Sequence, residues 1–153
     1  MSARIGDLHP DMIPLAEAMI AALKAQGVPH VFVSGKRFDA EQAALHAQGR
    51  YLLDYVNELR MKAHMTMIGE ADNRYTVTNC DGIVKRSAHQ SGEAVDIVPR
   101  VAPGESSWNY ARLQAQYRAI VEEAHLLGLE CGADWPPIDA KTGLGKDPPH
   151  LQI

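Results

Sequence analysis

The chain has 153 residues, 46% of them apolar and 22% charged, which suits one soluble globular domain with a core large enough to need no staples. A formal charge of -4, relieved only by the local pairs Lys36-Arg37 and Lys85-Arg86, supplies no clustered positive face and so argues against a nucleic-acid partner. No run approaches the roughly 20 apolar residues of a spanning helix, and the opening Met-Ser-Ala-Arg-Ile-Gly-Asp lacks the apolar segment of a signal peptide, so a cytoplasmic product that needs outside help for export is expected.

Asp11 is placed to cap a helix running to about Gln26, with Pro14 tolerated in the first turn and Gly27 as the stop. Met12, Leu15, Ala16, Met19, Ile20 and Leu23 recur at helical spacing and predict a core-facing scaffold. The segment from Val28 to Val33 is short and β-branched, and reads as a strand ending at the Ser34-Gly35 turn, so Lys36 and Arg37 leave a strand end. Asp39 and Gln42 have capping-box spacing for a short helix through Gln48, closed by Gly49. Leu52, Tyr55, Val56, Leu59 and Ala63 predict a second helix, ending before Gly69, that serves packing. Beyond a polar loop from Glu70 to Arg74, Tyr75-Thr76-Val77-Thr78 reads as a strand and Asn79-Cys80-Asp81-Gly82 as a turn.

The stretch Ala94-Val95-Asp96-Ile97-Val98 alternates, which sends Asp96 to one face of a strand and Val95 and Ile97 to the other, and Pro99 and Pro103 end it. Ser106 or Ser107 caps a helix from Trp108 to about Leu127, with Gly128 after it. The tail from Gly132 to Pro149 is rich in Pro, Gly and Asp, and a loop of that length in a compact domain is more often functional than idle. Strands late in the chain with few crossovers predict a single α+β domain over residues 1–153, a small and mainly antiparallel sheet with helices packed on it. Cys80 and Cys131 stand in no Cys-x-x-Cys pattern and read as free thiols.

The chemistry concentrates in two stretches. In Ser87-Ala-His-Gln-Ser-Gly-Glu-Ala-Val-Asp96 an imidazole and a carboxylate stand seven residues apart. On one helix they would be about 10 Å apart along the axis, but with Gly92 as a bend they can converge on one ion. Zinc takes such nitrogen and oxygen donors, and a catalytic site uses three protein ligands plus water. His150, stiffened by Pro148-Pro149, is the third candidate, and Asp147 is placed to act as a general base beside a Lewis acid, the minimum equipment for amide hydrolysis. His9, His30, His46, His64 and His125 read as surface or packing groups, and Glu93 as a solvent-facing strand start.

Ser87-x-His89-x-x-Gly92-x-Ala94-x-Asp96, then Gly132-x-Asp134-Trp135 and Asp147-x-Pro149-His150-x-Gln152, resembles the zinc peptidases of the D-alanyl-D-alanine carboxypeptidase and L-alanyl-D-glutamate endopeptidase group, phage endolysins included. The upstream Ser34-Gly35-Lys36-Arg37 with Gln42 and Gln48-Gly49-Arg50 extends the likeness. The resemblance implies the hedgehog and DD-peptidase fold, Zn2+ on His89, Asp96 and His150, Asp147 as base, and Arg37 as the group that binds substrate and steadies the developing oxyanion. It places Ser87, Asp134 and Trp135 near the site, with Asp134 orienting a ligand histidine. It further implies a monomeric hydrolase that cleaves the peptidoglycan stem peptide at L-alanyl-D-glutamate, reaches the wall through a membrane pore, and has no separate wall-binding domain. The alternatives are a D-alanyl-D-alanine carboxypeptidase or dipeptidase, and a non-catalytic metal-binding module of the same fold. Cys131-Gly132-Ala133 and Leu151 depart from the usual pattern, and residues 51–74 form a longer insertion.

Overall fold

The computed structural model describes residues 4–153; Met1-Ser2-Ala3, part of the segment on which the leader expectation rests, lie outside the described residues. Helix α1 (Met12–Ala25) is followed by β1 (His30–Ser34), α2 (Asp39–Ala47), α3 (Leu53–Lys62), the one-turn α4 (Ala88–Ser91), β2 (Ala94–Pro99), α5 (Gln114–Leu126), β3 (Glu130–Cys131) and β4 (His150–Gln152). The four strands form one sheet in the order β1-β2-β4-β3, every pair antiparallel. This is the expected α+β class.

The core lies between one face of the sheet and the two longest helices. Met12, Ala16, Met19 and Leu23 of α1 and Tyr117, Ile120, Val121 and Ala124 of α5 pack with Val95, Ile97, Cys131 and Leu151. Burial of alternate strand residues therefore fixes which face meets the helices and leaves Asp96 and His150 on the other. On β1, a bulge between Phe32 and Ser34 shifts the register against β2 and delivers the chain into the Gly35-Lys36-Arg37 turn.

Several expectations are corrected. Tyr75–Thr78 forms no strand: Tyr75 and Val77 are exposed, and β propensity without a neighbouring strand to pair with builds no ladder. The last long helix starts at Gln114 and not Trp108, because the Ser106 hydroxyl accepts from Trp108 N and the Asn109 side chain from Arg112 N, holding the intervening chain in turns. Asp11 precedes α1 without a side-chain cap bond. In α2 the reciprocal bond comes from Glu41, which accepts from Phe38 N at 2.8 Å, so the box begins one residue earlier and Gln42 turns inward. No helix among the described residues is long and apolar enough to cross a membrane.

Candidate metal centre

The two stretches meet on the two central strands, on the face of the sheet away from α1 and α5. Ser87 begins α4 by accepting from His89 N at 3.3 Å, while Ser87 N donates to Gln90 Oε1 at 3.0 Å. Gly92 then ends the single turn at a φ of 79°, and a side chain there would run into the backbone of His9. That reversal carries His89 back over β2, where Asp96 stands opposite His150 of β4.

Three donors converge. His89 Nε2 lies 3.4 Å from Asp96 Oδ2, and His150 Nδ1 lies 3.5 Å from Asp96 Oδ1. The imidazole rings stand nearly perpendicular, their centroids 5.0 Å apart. One ligand atom from each residue lies within 4.8 Å of the others, both histidines are buried, and the carboxylate is 14% exposed. The outer nitrogen of each ring is already engaged: His89 Nδ1 with the Gly35 carbonyl at 2.9 Å, and His150 Nε2 with Gln152 Oε1 at 2.8 Å. Each ring thus turns its other nitrogen inward toward Asp96, the arrangement found around ligated histidines. Two neutral nitrogens and one carboxylate oxygen suit zinc, and the residues fit the ion.

The surroundings are polarised accordingly. Burial opposes charge on Asp96, yet hydrogen bonds from His150 and His89 hold its carboxyl well below the ordinary range. Burial is the largest single influence on His150 and lowers it, but its bonds to Asp96 and Gln152 together with the charges of Asp96 and Asp147 raise it overall. Asp147 is raised, first by burial and then by the charge of Asp96, against the opposing pull of His150, His89 and Arg37. Gly132 makes room for it: a Cβ there would overlap the Asp147 carbonyl and press on its side chain. Asp147 N also donates to Gly132 O at 3.1 Å, pinning the tail to the turn after β3.

Arg37 closes the opposite side. Arg37 is 7% exposed, with NH1 donating to Gln42 Oε1 at 3.0 Å and NH2 3.9 Å from Asp96 Oδ2, while Nε is buried with no hydrogen-bond partner. Arg37 N donates to the His89 carbonyl, so the β1–α2 turn and α4 hold one another in place. Gln42, fully buried, also donates to Cys80 O at 2.6 Å and to Thr78 Oγ1 at 3.4 Å. It is the fastener between Arg37 and the loop below, a role that capping-box spacing concealed.

Asp134 requires a correction. Its carboxylate bonds His125 Nε2 at 2.7 Å, both groups exposed, and neither is a ligand of the central trio. Gln152 holds His150 and the Gly35 carbonyl holds His89 in its stead. His125, Cys131 and Asp134 also cluster, but the two outer groups satisfy each other and burial pushes the Cys131 thiol up to about 12, so this is a bonded pair beside a protonated thiol. Trp135 packs on His150 with ring centroids 5.0 Å apart, and its indole N–H donates to Glu130 Oε1 at 2.8 Å. Tyr110, which nothing in the sequence singled out, feels the charges of Asp147 and Asp96, and burial pushes its phenol up to about 12.

Residues 82–153, which carry all three ligand candidates and Asp147, match the family model for D-alanyl-D-alanine carboxypeptidase. That segment is just under half of the chain, and over it the chain is similar to this family of peptidases. The chain is similar, at 26% identity over 152 residues, to the peptidoglycan L-alanyl-D-glutamate endopeptidase CwlK of Bacillus subtilis (strain 168), covering 96% of this chain and 74% of that one. Two solved structures share its fold. The L-Ala D-Glu endopeptidase ChiX of Serratia marcescens superposes with a TM-score of 0.50 at 22% identity, covering 97% of this chain and 82% of its own. VanYB in complex with D-alanine-D-alanine gives 0.51 at 21%, covering 95% and 71%. Arg37 and Gln42 fall outside the matched family segment, so their part in the site rests on the geometry above.

Proposed function

We propose that the protein is a zinc peptidase that hydrolyses the stem peptide of bacterial peptidoglycan at the L-alanyl-D-glutamate bond. The observation that carries the reading is the convergence of His89 Nε2 and His150 Nδ1 on the two oxygens of Asp96, with Asp147 raised beside them. His89, Asp96 and His150 would hold the ion, which when bound supplies Lewis acidity and lowers the pKa of a water near it.

The chain's own groups supply the rest. Asp147, its proton affinity raised by burial, takes a proton from the attacking water and returns it to the leaving amine. Arg37 faces the carboxylate cluster with a fixed fork whose positive charge steadies the oxygen that gains negative charge. Burial of Arg37 lowers its pKa against the opposing charges of Asp96 and Asp147, and a guanidinium still keeps its charge at any working pH.

Likeness over nearly the whole chain to an endopeptidase named for the L-alanyl-D-glutamate bond supports that choice. A second reading, release of terminal D-alanine, draws on the family description and uses the same groups. Digestion of purified peptidoglycan with identification of the new termini separates them. New amino-terminal D-glutamate supports the endopeptidase, and free D-alanine as the sole product overturns it.

A further inference from the structure

We propose that Tyr51, Tyr55 and Tyr75 form an aromatic platform that binds the glycan strand of the wall polymer, the chain of β-1,4-linked N-acetylated amino sugars that carries the stem peptides. The choice of occupant rests on the peptidoglycan reading above.

The chain has five tyrosines. Tyr110 and Tyr117 stack on one another against the core, while Tyr51, Tyr55 and Tyr75 are 56%, 48% and 72% exposed. Large rings left in water on one stretch of chain mark an interaction surface. None of them hangs on a loose loop. Tyr51 and Tyr55 meet edge to face with ring centroids 5.4 Å apart. Asn73 clamps the backbone beneath them, its Oδ1 accepting from Gly49 N at 3.1 Å and its Nδ2 donating to Tyr51 O at 3.0 Å. Gly49 lies so close to the Tyr75-Thr76 peptide that a Cβ there would come within 2.7 Å of it, which sets Tyr75 beside the same clamp. Arg50 adds bonds to His46 O at 2.6 Å and to Asn79 Oδ1 at 3.0 Å. Rings on a braced backbone lose little freedom when a ligand arrives.

Chemistry selects the occupant. Pyranose rings present polarised C–H groups that the negative face of an aromatic ring attracts, and their hydroxyls and amides can bond a phenol oxygen. Among the described residues, none of the three phenol oxygens is taken by a protein hydrogen bond. A nucleic acid or an anionic membrane would call for a positive field, but the chain carries a net charge of -4 and Arg50 is spent on the scaffold.

The platform also continues the Arg37 side of the site. Gln42 bonds Arg37 and, beyond it, Cys80 and Thr78, and the chain from Cys80 back to Tyr75 spans at most about 18 Å. The L-alanyl-D-glutamate bond lies one residue from the sugar that bears the stem peptide. An enzyme that cuts there must accommodate the glycan beside its cleft, whereas release of terminal D-alanine takes place at the far end of the peptide.

The test uses the whole chain and a glycan that carries no peptide, so neither metal nor hydrolysis enters. The probes are a soluble hexamer of β-1,4-linked N-acetylglucosamine, followed by NMR, and peptide-free glycan strands, followed by cosedimentation. In the wild type, amide signals of residues 49–55 and 73–77 are expected to shift as hexamer is added. Tyr51→Ala, Tyr55→Ala and Tyr75→Ala should each weaken binding about tenfold, and the corresponding Phe variants should keep most of it because stacking needs only the ring. Leu126→Ala, which alters another exposed apolar residue, should bind as the wild type does. Absence of glycan binding by the wild type overturns the proposal, as do shifts confined to other residues, alanine variants that bind undiminished, or Phe variants as weak as the alanine ones. Binding to phosphatidylglycerol vesicles, or a dimer that the alanine variants dissolve, with no binding of glycan, gives the platform to a lipid surface or a second copy and overturns it too. The wild-type shifts decide the matter even where an alanine variant does not fold. A chain that binds glycan but cuts no stem peptide loses the peptidase reading and keeps the platform; one that cuts stem peptides but binds no glycan loses the platform alone.

Discussion

Gln42→Leu is the perturbation that best tests how the site is held, because Gln42 is fully buried and touches no ligand of the metal centre. Leucine nearly matches glutamine in size, so the change deletes hydrogen bonds with little loss of volume. Arg37 NH1 loses its acceptor at 3.0 Å and the Cys80 carbonyl its donor at 2.6 Å, and Arg37 already carries one unpartnered nitrogen. Each buried group left unsatisfied costs about 1–3 kcal/mol, more where one is charged, so the pair predicts roughly 3 kcal/mol of destabilisation. For a chain of this size that is a fall of about 9 °C in Tm. Thermal unfolding followed by circular dichroism reads the fall directly. Activity should drop further than stability explains, through KM and kcat together, as the guanidinium leaves its position. A Tm within about 1 °C of wild type would show that Arg37 is held by something other than Gln42, and the account of that side of the site would be wrong.

Three further outcomes are expected. Asp147→Asn should retain zinc, measured by metal analysis, while hydrolysis falls by about 10²- to 10⁴-fold, the usual contribution of a positioned base; equal activity would remove Asp147 from the mechanism. In the native protein, an aromatic disulfide reagent should titrate the half-exposed Cys80 and spare Cys131, whose thiol is fully buried and pushed up to about 12, until denaturant is added. Asp81 is held below its ordinary value by backbone N–H bonds, chiefly from Lys85 and Ile83, with Val84 also donating. Because the folded value is the lower one, this stabilisation is present above about pH 4, the unfolded carboxylate value, and is lost as pH falls through the folded value. Amide protection at residues 83–85 should follow that course and be absent in Asp81→Ala at every pH.

The parts of the fold that were legible are those decided by local pattern. Helical spacing in Met12, Leu15, Ala16, Met19, Ile20 and Leu23 marked α1; four of these are its buried set, and Leu15 and Ile20 are partly buried. Alternation in Ala94–Val98 put Asp96 on the face away from Val95 and Ile97. The bend at Gly92 was needed for His89 and Asp96 to meet at all, and the residue adopts the left-handed conformation there. What local pattern could not reveal is which polar group ends up beside which. Asp134 has the right chemistry to brace a ligand histidine, but the end of α5 brings His125 to it first. Tyr75–Thr78 has strand composition, but the loop from Thr78 to Cys80 is spent on holding Gln42.

Register is the step that converts sequence into site. Leu151 is fully buried in the core opposite Val95, so its neighbours His150 and Gln152 must both face the other way. A slip of one residue would send Leu151 to the metal face and bury both polar side chains among the helices, a cost of several kcal/mol for two unpaired polar groups. A slip of two would preserve the faces but set Gln152 against Asp96, and would separate it from Glu130 on the far strand. The apolar alternation thus excludes the first error, and the polar pairing of Glu130 with Gln152 excludes the second. The bonds that orient His150 therefore also lock the strand that carries this candidate ligand.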